Sequence, residues 1–373
     1  GMGPRHLTRL FEDHLGATPV AVAQTRRVHF ARNLIQETDL PMARIALAAG
    51  FGSVRRFNVL VKQVFAATPT ELRQRTGTVT GDGDILVHHL AYRPPYDWDQ
   101  MTGFLAGRAI PGVETVSAAA YRRVIAVDGT AGTLEVAPVP GRAHLLVKVV
   151  LPDLHGAIGL VNRVRRMFDV GADPAVIAAH LGDDRLLAPL VVRRPGLRLP
   201  SAWDPFEMTV RAILGQQISV AGATTIAGRL VERLGTPLAS PGNGLTHVVP
   251  CPAAVAAGDL SGLGLTTRRI ATVQHLAAEV AAGRLELDAP RGVEDFTARL
   301  IALPGIGPWT AHYVAMRALG EPDAFPAGDL GLKQAAPGVD LAARAAGWRP
   351  WRAYAALHLW ASLNDEDRRK DPS

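Results

Sequence analysis

A carboxylate and two aromatic side chains occur close together in residues 301–333. Trp309 and Tyr313 are four residues apart and would share one face of a helix. Asp329 follows the segment 324–328, whose proline and glycine disfavour a helix, so we expect it at the start of the next helix. A carboxylate beside aromatic faces can stabilise positive charge that develops on a substrate. The alternative is that Asp329 only caps a helix and that both aromatics belong to the core.

The turn before Trp309 has the composition of a phosphate-binding helix start. Gly305 and Gly307 permit positive φ and a close approach of the backbone. Pro308 suits the first turn of a helix, because its missing N–H would have no partner there. A helix should therefore begin near Pro308, and its free N–H groups would face a phosphate at the positive end of the helix.

These residues resemble the helix-hairpin-helix DNA glycosylases, whose hairpin binds a DNA phosphate and whose Gly/Pro-rich loop ends in a catalytic Asp. The match is most detailed with the 3-methyladenine DNA glycosylase II, or AlkA-type, branch. Further motifs of that branch follow in the family's order: YDWDQMTGFLAGRA (96–109), VETV (113–116), RPGLRLP (194–200), RAILGQQISV (211–220) and RPWRAYAALHLW (349–360).

The resemblance implies the following site. Asp329 would stabilise an oxocarbenium-like sugar and orient or activate water. Electron-rich rings would line a pocket that favours a cationic, alkylated purine flipped out of the duplex. The pocket residues would be Phe104, Trp309, Tyr313 and Trp360.

DNA contacts are implied as well. Gln217 stands where the family places the residue that fills the gap in the duplex, commonly a leucine, while Gly305 and Gly307 would approach a phosphate. No cofactor is implied as a requirement, but the carbonyls of Ile301, Leu303 and Ile306 match those that hold a monovalent cation, Na⁺ or K⁺, in the family's hairpin.

Two further features narrow the expected reaction. Members of the superfamily that also cleave the strand carry a Schiff-base lysine where this chain has Trp309, so we expect a monofunctional glycosylase without lyase activity. Cys251 is the only cysteine, which excludes an intramolecular disulfide, a Cys-rich zinc site and a four-Cys iron–sulfur cluster. The Asp329 loop departs from the family's usual sequence at Gly328 and at Gly331, and Gly331 would loosen the helix behind the carboxylate.

The first 80 residues hold the whole net charge of +6. They contain 11 Lys or Arg and 5 Asp or Glu, so 29 of the 40 basic and 29 of the 34 acidic residues lie elsewhere. This segment also repeats itself at an offset of 50 residues, in Arg5 and Arg55, Leu10 and Leu60, and 17–19 and 67–69. Each copy is predicted to be an amphipathic helix that ends before a Thr-Pro pair, and each Thr-Pro pair is predicted to start a further helix.

A short apolar helix in 41–53, a Gly turn and a basic second helix form a helix-turn-helix pattern. The pattern resembles the DNA-binding domain of AraC-type regulators, with 20–36 as the long connecting helix. Only one unit is complete, so we expect a fragment of a longer arrangement. Val54, Arg55, Asn58 and Lys62 are the candidate major-groove residues; the alternative is an ordinary solvated helix face.

The sequence predicts a multidomain chain. The expected parts are an all-α helix-turn-helix domain (1–75), a linker (76–84), an α+β antiparallel-sheet domain (85–172), an all-α helix-hairpin-helix glycosylase domain (173–365) and a polar tail (366–373). Strand residues His88 and His89 lack an acidic or Cys partner at ligand spacing, so we interpret them as exposed rather than metal-binding.

The leading hypothesis is a DNA glycosylase that releases alkylated purines such as 3-methyladenine and 7-methylguanine from double-stranded DNA. Its fusion to a partial regulator resembles adaptive-response proteins, and promoter DNA would be a second partner. Alternatives are a transcription regulator whose glycosylase half only senses damage, and a generic DNA-binding hairpin. No apolar run reaches the ~18 residues of a membrane helix and no secretory signal is seen, so we expect a cytoplasmic, nucleoid-associated monomer without a membrane partner.

Overall fold

The computed structural model describes residues 4–15, 18–37, 40–74, 85–127, 129–152, 157–287 and 292–370. By its internal packing the chain divides into two compact units: residues 1–89, 127–134 and 146–162, and residues 90–126, 135–145 and 163–373. The predicted linker, 76–84, lies outside the described residues. None of the described helices combines the length and the apolar character that crossing a bilayer requires.

The N-terminal region is helical. Its helices are α1 (Pro4–Leu15), α2 (Pro19–Glu37), α3 (Met42–Ala48), α4 (Val54–Phe65) and α5 (Pro69–Gln74). Thr-Pro starts α2 and α5, as the repeat predicted, and Thr68 and Glu71 cap α5 reciprocally. Gly50 makes the turn after α3 with φ 75°, and Ser53 caps α4 by accepting from the Arg56 N–H.

A mixed region follows. Its elements are β1 (Ile85–Ala91), α6 (Trp98–Ala106), β2 (Glu114–Val116), β3 (Tyr121–Val127), β4 (Thr130–Pro138), β5 (His144–Val150) and α7 (Ala157–Met167). The strands form one sheet in the order β1-β5-β4-β3-β2, and β2 pairs antiparallel with β3.

The interpretation of His88 as an exposed residue was wrong. His88 is only 3% exposed, because Leu86, His88 and Leu90 occupy alternate positions of β1 and share its buried face. Its ring lies 6.3 Å from that of Phe30, measured between centroids. The alternation of buried and less buried residues along β1 predicts a buried His88, but the two adjacent histidines were considered together as one pair.

The rest of the chain is mainly helical. Its elements are α8 (Pro174–Gly182), α9 (Ala188–Arg193), α10 (Pro205–Leu214), α11 (Val220–Leu234), β6 (Thr236–Gly242), β7 (Leu245–Val248), α12 (Pro252–Ala257), α13 (Thr267–Ala281), α14 (Val293–Ile301), α15 (Pro308–Leu319), α16 (Leu330–Ala335), α17 (Leu341–Arg344), a 3₁₀ turn (Ala345–Trp348) and α18 (Arg352–Lys370). Helix α15 packs against α10 and α14 through a buried, alanine-rich face that allows close approach.

Two local features of this region have clear causes. The hairpin β6–β7 was not predicted; Asn243 and Gly244 both adopt positive φ at its tip, 54° and 79°, as a two-residue hairpin turn requires. Helix α17 has only four residues, because Asp340 caps its start at the N–H groups of Ala342 and Ala343 and the chain then tightens into the 3₁₀ turn.

Candidate active site

Helix α15 presents the two aromatics predicted from spacing. It begins at Pro308, as expected, and the rings of Trp309 and Tyr313 stack with centroids 5.3 Å apart and an interplanar angle of 6°. Trp360 of α18 meets Tyr313 edge-on, with centroids 6.3 Å apart. Three aromatic rings from two helices thus form one wall beside Asp329.

Asp329 caps α16, but capping is only part of its environment. Its Oδ1 accepts the Leu332 N–H (3.0 Å), which is the capping bond, and also the Trp360 indole N–H (2.8 Å). Its Oδ2 accepts the Trp309 indole N–H (3.0 Å). The carboxylate is therefore held by three donors, two of which come from the candidate pocket.

Phe104 lies in the same cleft but is covered by cations. The guanidinium carbon of Arg108 lies 3.7 Å from the Phe104 ring centroid, and that of Arg317 lies 4.4 Å from it. Arg317 also donates to the Tyr313 hydroxyl (3.1 Å) and to the carbonyl of Pro200 (2.5 Å). Phe104 is thus linked to Tyr313 through an arginine that is 4% exposed.

The arginines change the acidity of Tyr313. Burial alone would raise the pKa of its hydroxyl, but the charges of Arg317, Arg108 and Arg211 lower it to about 8. Burial, together with the repulsion of Arg108 and Arg211, lowers the pKa of Arg317 to about 10. The surroundings of Tyr313 are therefore basic, whereas Asp329 adds a negative charge beside the Trp309 and Trp360 indoles.

A buried ion cluster stands behind Arg211. Arg211 donates to Glu114 (3.1 Å) and to the carbonyl of Arg108, while Glu207 accepts from Arg123 at 2.7 Å. Tyr121 donates to Glu114 at 2.6 Å. Two glutamates thus face two arginines, and burial raises the pKa of Glu207 more than Arg123 lowers it.

The hairpin turn joins α14 to α15. Gly305 has φ 87°, and a Cβ there would lie 2.2 Å from Thr272 Oγ1, so glycine is required by the fold. Gly307 does not use the positive φ that glycine permits: its φ is −95°, and a Cβ there would meet no atom within 4 Å. Gly307 caps α15 without a side-chain partner, which leaves the first N–H groups of the helix open to an anion.

The carbonyls suggested for a monovalent cation lie in this turn. The Leu303 carbonyl accepts the Ile306 N–H at 3.2 Å. Within the described residues, the carbonyls of Ile301 and Ile306 accept no hydrogen bond. Two unused carbonyls and one shared carbonyl fit a weakly bound cation, and the site stays a prediction.

The α10–α11 turn is tied to the hairpin by Gln216, a residue that the sequence did not single out. Gln216 Nε2 donates to the Gly305 carbonyl and to Thr310 Oγ1, both at 3.1 Å. Arg269 in turn donates to the Gln216 carbonyl at 2.6 Å. The next residue, Gln217, is exposed and has φ 58°, a left-handed conformation unusual for a residue with a side chain.

These parts line one cleft with a volume of about 1850 Å³. Its wall contains Asp329, Trp309, Tyr313, Trp360, Phe104, Gln217 and both hairpin glycines. Among the described residues, the charged side chains of the lining are Arg108, Arg194, Arg211, Arg268, Arg269, Arg317, Asp99 and Asp329. The cleft is therefore basic, although the chain beyond residue 80 is neutral as a whole.

The candidate groove residues lie together on α4. Val54, Arg55, Asn58 and Lys62 are exposed, whereas Phe57 and Val61 of the same helix are buried. The Phe51 and Phe57 rings pack edge to face with centroids 5.5 Å apart. Helix α4 is thus fixed from one side and free on the other.

Sequence reasoning missed the arginines of the pocket, although a signal was present. Arg108 follows Phe104 by four residues, and Arg317 follows Tyr313 by four, which is the spacing that brings side chains together on a helix. Arg211 likewise follows Glu207 by four residues and pairs with it at 3.5 Å, but its other partners, Glu114 and the Arg108 carbonyl, are about 100 residues away.

Comparison with known proteins agrees with this architecture. A family model of the AlkA N-terminal domain matches residues 87–204, and a helix-turn-helix domain model matches residues 1–75. The solved 3-methyladenine DNA-glycosylase from Archaeoglobus fulgidus has a similar fold, with a TM-score of 0.63 at 23% identity over 73% of this chain and 97% of that one. The fold is that of the helix-hairpin-helix DNA glycosylases.

Two sequence relatives narrow the family. A probable bifunctional transcriptional activator/DNA repair enzyme AlkA of Mycobacterium tuberculosis is 40% identical over 370 residues, which cover 96% of this chain and 74% of that protein. DNA-3-methyladenine glycosylase 2 of Escherichia coli is 36% identical over 280 residues, covering 74% of this chain and 96% of that protein. The chain belongs to the AlkA family of DNA-3-methyladenine glycosylases, with a helix-turn-helix domain on its N-terminal side.

Proposed function

We propose that the chain is a monofunctional DNA glycosylase that flips alkylated purines out of duplex DNA and hydrolyses their N-glycosidic bonds, as part of base excision repair. The observation that carries the proposal is the Asp329 carboxylate, held by the indole N–H groups of Trp309 and Trp360 in a basic cleft. A fixed negative charge at that point would stabilise the oxocarbenium-like sugar as the base departs.

The polarity of the pocket supports a definite orientation of the nucleotide. The sugar would lie toward Asp329, and the base would lie against the aromatic wall of Trp309, Tyr313 and Trp360. An alkylated purine cation would gain ~0.5–2 kcal/mol from each ring face. Such a base is already a good leaving group, so the pocket needs no strong general acid.

The rim of the cleft supports DNA binding with local distortion. The uncapped start of α15 offers N–H groups to one phosphate. Gln217 would fill the gap that an extruded nucleotide leaves; its exposure on a left-handed turn supports this role. Six arginines in the lining would attract the phosphate backbone.

We also propose that the chain has no lyase activity and does not cleave the DNA strand. A lyase of this superfamily needs an amine that forms a Schiff base, and α15 has Trp309 at that place. No lysine occurs in the cleft lining within the described part of the chain. An abasic site would therefore be the end product.

The test is base release from methylated duplex DNA by the parent chain, Asp329→Asn and Asp340→Asn. Asn caps a helix about as well as Asp, so a purely capping role would leave both variants active. We expect Asp329→Asn to lose at least about 10²-fold in rate, and Asp340→Asn, which alters the cap of α17, to match the parent. Strand cleavage should appear only after alkali; nicks without alkali would contradict the monofunctional assignment.

The exposed residues of helix α4 support a second activity, binding to the major groove of DNA. We propose that this helix enters the major groove and that Val54, Arg55, Asn58 and Lys62 contact the bases or the adjacent backbone. The support is their shared exposure on a helix that is anchored by the buried Phe57 and Val61. Footprinting on DNA upstream of the chain's own coding region tests it, and a footprint unchanged when Arg55 and Asn58 are both Ala would contradict it.

A further inference from the structure

Asp329 is held asymmetrically. Its Oδ1 accepts two hydrogen bonds, from the Leu332 N–H and the Trp360 indole, whereas Oδ2 accepts one, from the Trp309 indole. A carboxylate oxygen has two lone pairs. Oδ2 therefore keeps an acceptor position for a substrate, and its direction depends on the bonds that fix Oδ1.

Gly331 lies directly against this arrangement. A Cβ at Gly331 would lie 3.1 Å from Asp329 Oδ1, 3.2 Å from Trp360 Cδ1 and 3.3 Å from Trp360 Nε1. These distances are shorter than ordinary van der Waals contact, so even a methyl group would push Trp360 or the carboxylate by a few tenths of an ångström.

The backbone does not itself require glycine at this position. The φ of Gly331 lies outside the left-handed region, unlike the φ of 87° at Gly305. Gly331 is also the second residue of α16, where alanine is the better helix former. The reason for glycine is thus the space between Asp329 and Trp360.

We propose that Gly331 is a positioning residue: because it has no side chain, the Trp360 indole closes on Asp329 Oδ1 and turns Oδ2 toward the sugar. The inference rests on the proposed glycosylase function and deepens it, since Gly331 acts through Trp360 and touches no substrate. It also reverses the expectation that this glycine merely loosens the helix behind the carboxylate.

A double-mutant cycle tests the proposal with Gly331→Ala, Trp360→Phe and the double variant, measured by single-turnover base release. Trp360→Phe keeps a ring and removes the indole donor, so we expect kcat to fall about 10- to 100-fold, the effect of a hydrogen bond to a charged group. Gly331→Ala should lower kcat about 3- to 10-fold with KM nearly unchanged. The double variant should be no slower than Trp360→Phe, because both changes break the same contact.

Stability separates positioning from damage to the fold. Gly331→Ala should melt cooperatively and close to the parent while the rate falls, because the better helix propensity of alanine offsets part of the lost hydrogen bond. The control is Gly347→Ala, an exposed glycine of the 3₁₀ turn whose Cβ would meet nothing within 4 Å; it should keep the parent rate. The proposal would be overturned if the rate loss of the double variant equalled the product of the two single losses. It would also be overturned if Gly331→Ala released base as fast as the parent.

The indole NMR signal of Trp360 tests the role of Gly331 without measuring activity, so this test does not depend on the proposed glycosylase function. The chain has six tryptophans, and the indole N–H resonance of Trp360 can be assigned by its loss in Trp360→Phe. We expect Gly331→Ala to shift this resonance, and Gly347→Ala to leave it in place. A parent that releases no base would defeat the proposed function alone, whereas an unmoved Trp360 resonance in Gly331→Ala would overturn the contact itself.

Discussion

Helix α4 and the cleft differ in how their candidate residues are held. On α4, Arg55, Asn58 and Lys62 are exposed, and the helix is fixed by the buried side chains on its other face. In the cleft, Asp329 is bound by two indoles, and Tyr313 is surrounded by guanidiniums. Substitutions on α4 should therefore act independently, while substitutions in the cleft should depend on one another.

The largest effect should come from the buried ion cluster. Glu207→Gln removes the charge that pairs with Arg123 at 2.7 Å, and both side chains are at most 5% exposed. Arg123 would keep only Glu114, 4.0 Å away, so the free energy of unfolding in urea should fall by up to about 3–5 kcal/mol, the cost of breaking a buried ion pair. Base release should fall too, because Arg211 belongs to the same cluster and lines the cleft.

The matched control is Glu279→Gln. Glu279 pairs with Arg284 at 2.7 Å, but 60% of the arginine side chain is exposed, so water replaces most of the lost interaction. We expect nearly unchanged unfolding in urea. If Glu207→Gln proved as harmless as Glu279→Gln, the cluster would not act as one unit, and the contrast between cleft and surface would fail.

Smaller and separable effects are expected on α4. Arg55→Ala and Lys62→Ala, which lie two helical turns apart, should each weaken binding to a DNA site contacted by α4 by about 1–3 kcal/mol, with the losses adding to within about 0.5 kcal/mol in the double variant. Fluorescence anisotropy with labelled duplex DNA measures this. Gln63→Ala, exposed on the same helix but outside the candidate group, is the control. Strongly non-additive losses would show that these side chains are coupled.

The same contrast explains what the sequence could predict. Pro308 after Gly307 predicts the start of α15, Asp329 after a Pro/Gly segment predicts a cap, and the apolar period of α4 predicts its free face; each depends on neighbours within a few residues. The partners Arg123 and Glu207 are 84 residues apart, and Glu207 has the pattern of an ordinary first-turn residue. Burial of that pair depends on tertiary packing, which no local rule contains.

Gly331 is an intermediate case. Its departure from the family pattern was visible, but a loosened helix was the only consequence that the sequence suggested. The three distances from its missing Cβ assign it to Asp329 and Trp360 instead. A residue without a side chain leaves no chemical signal in a sequence, so its function can be inferred only from the surrounding atoms.

The smallest and most specific effect is a pH dependence of KM, which we expect from ionisation of the Tyr313 hydroxyl. Its pKa is lowered to about 8 by Arg317 of the same helix, by Arg108 beyond α6 and by Arg211 of α10; the adjacent Trp360 is not titratable. Above pH 8 the phenolate cancels one positive charge at the end of the pocket that receives the base. KM for DNA containing cationic 3-methyladenine should then fall about fivefold, the effect of ~1 kcal/mol of screened attraction, while KM for neutral ethenoadenine should not.

Tyr313→Phe should abolish this step, and assays should stay below about pH 9.5 because the pKa of Arg317 is lowered to about 10. Stability offers an independent reading. Between pH 8 and 10 the unfolded chain keeps the tyrosine proton that the folded chain has lost, so the unfolding free energy of the parent should rise relative to Tyr313→Phe. If the parent and Tyr313→Phe showed the same pH profile in both measurements, the guanidiniums would not act on the Tyr313 hydroxyl. The coupling that distinguishes the cleft from α4 would then be confined to the surroundings of Asp329.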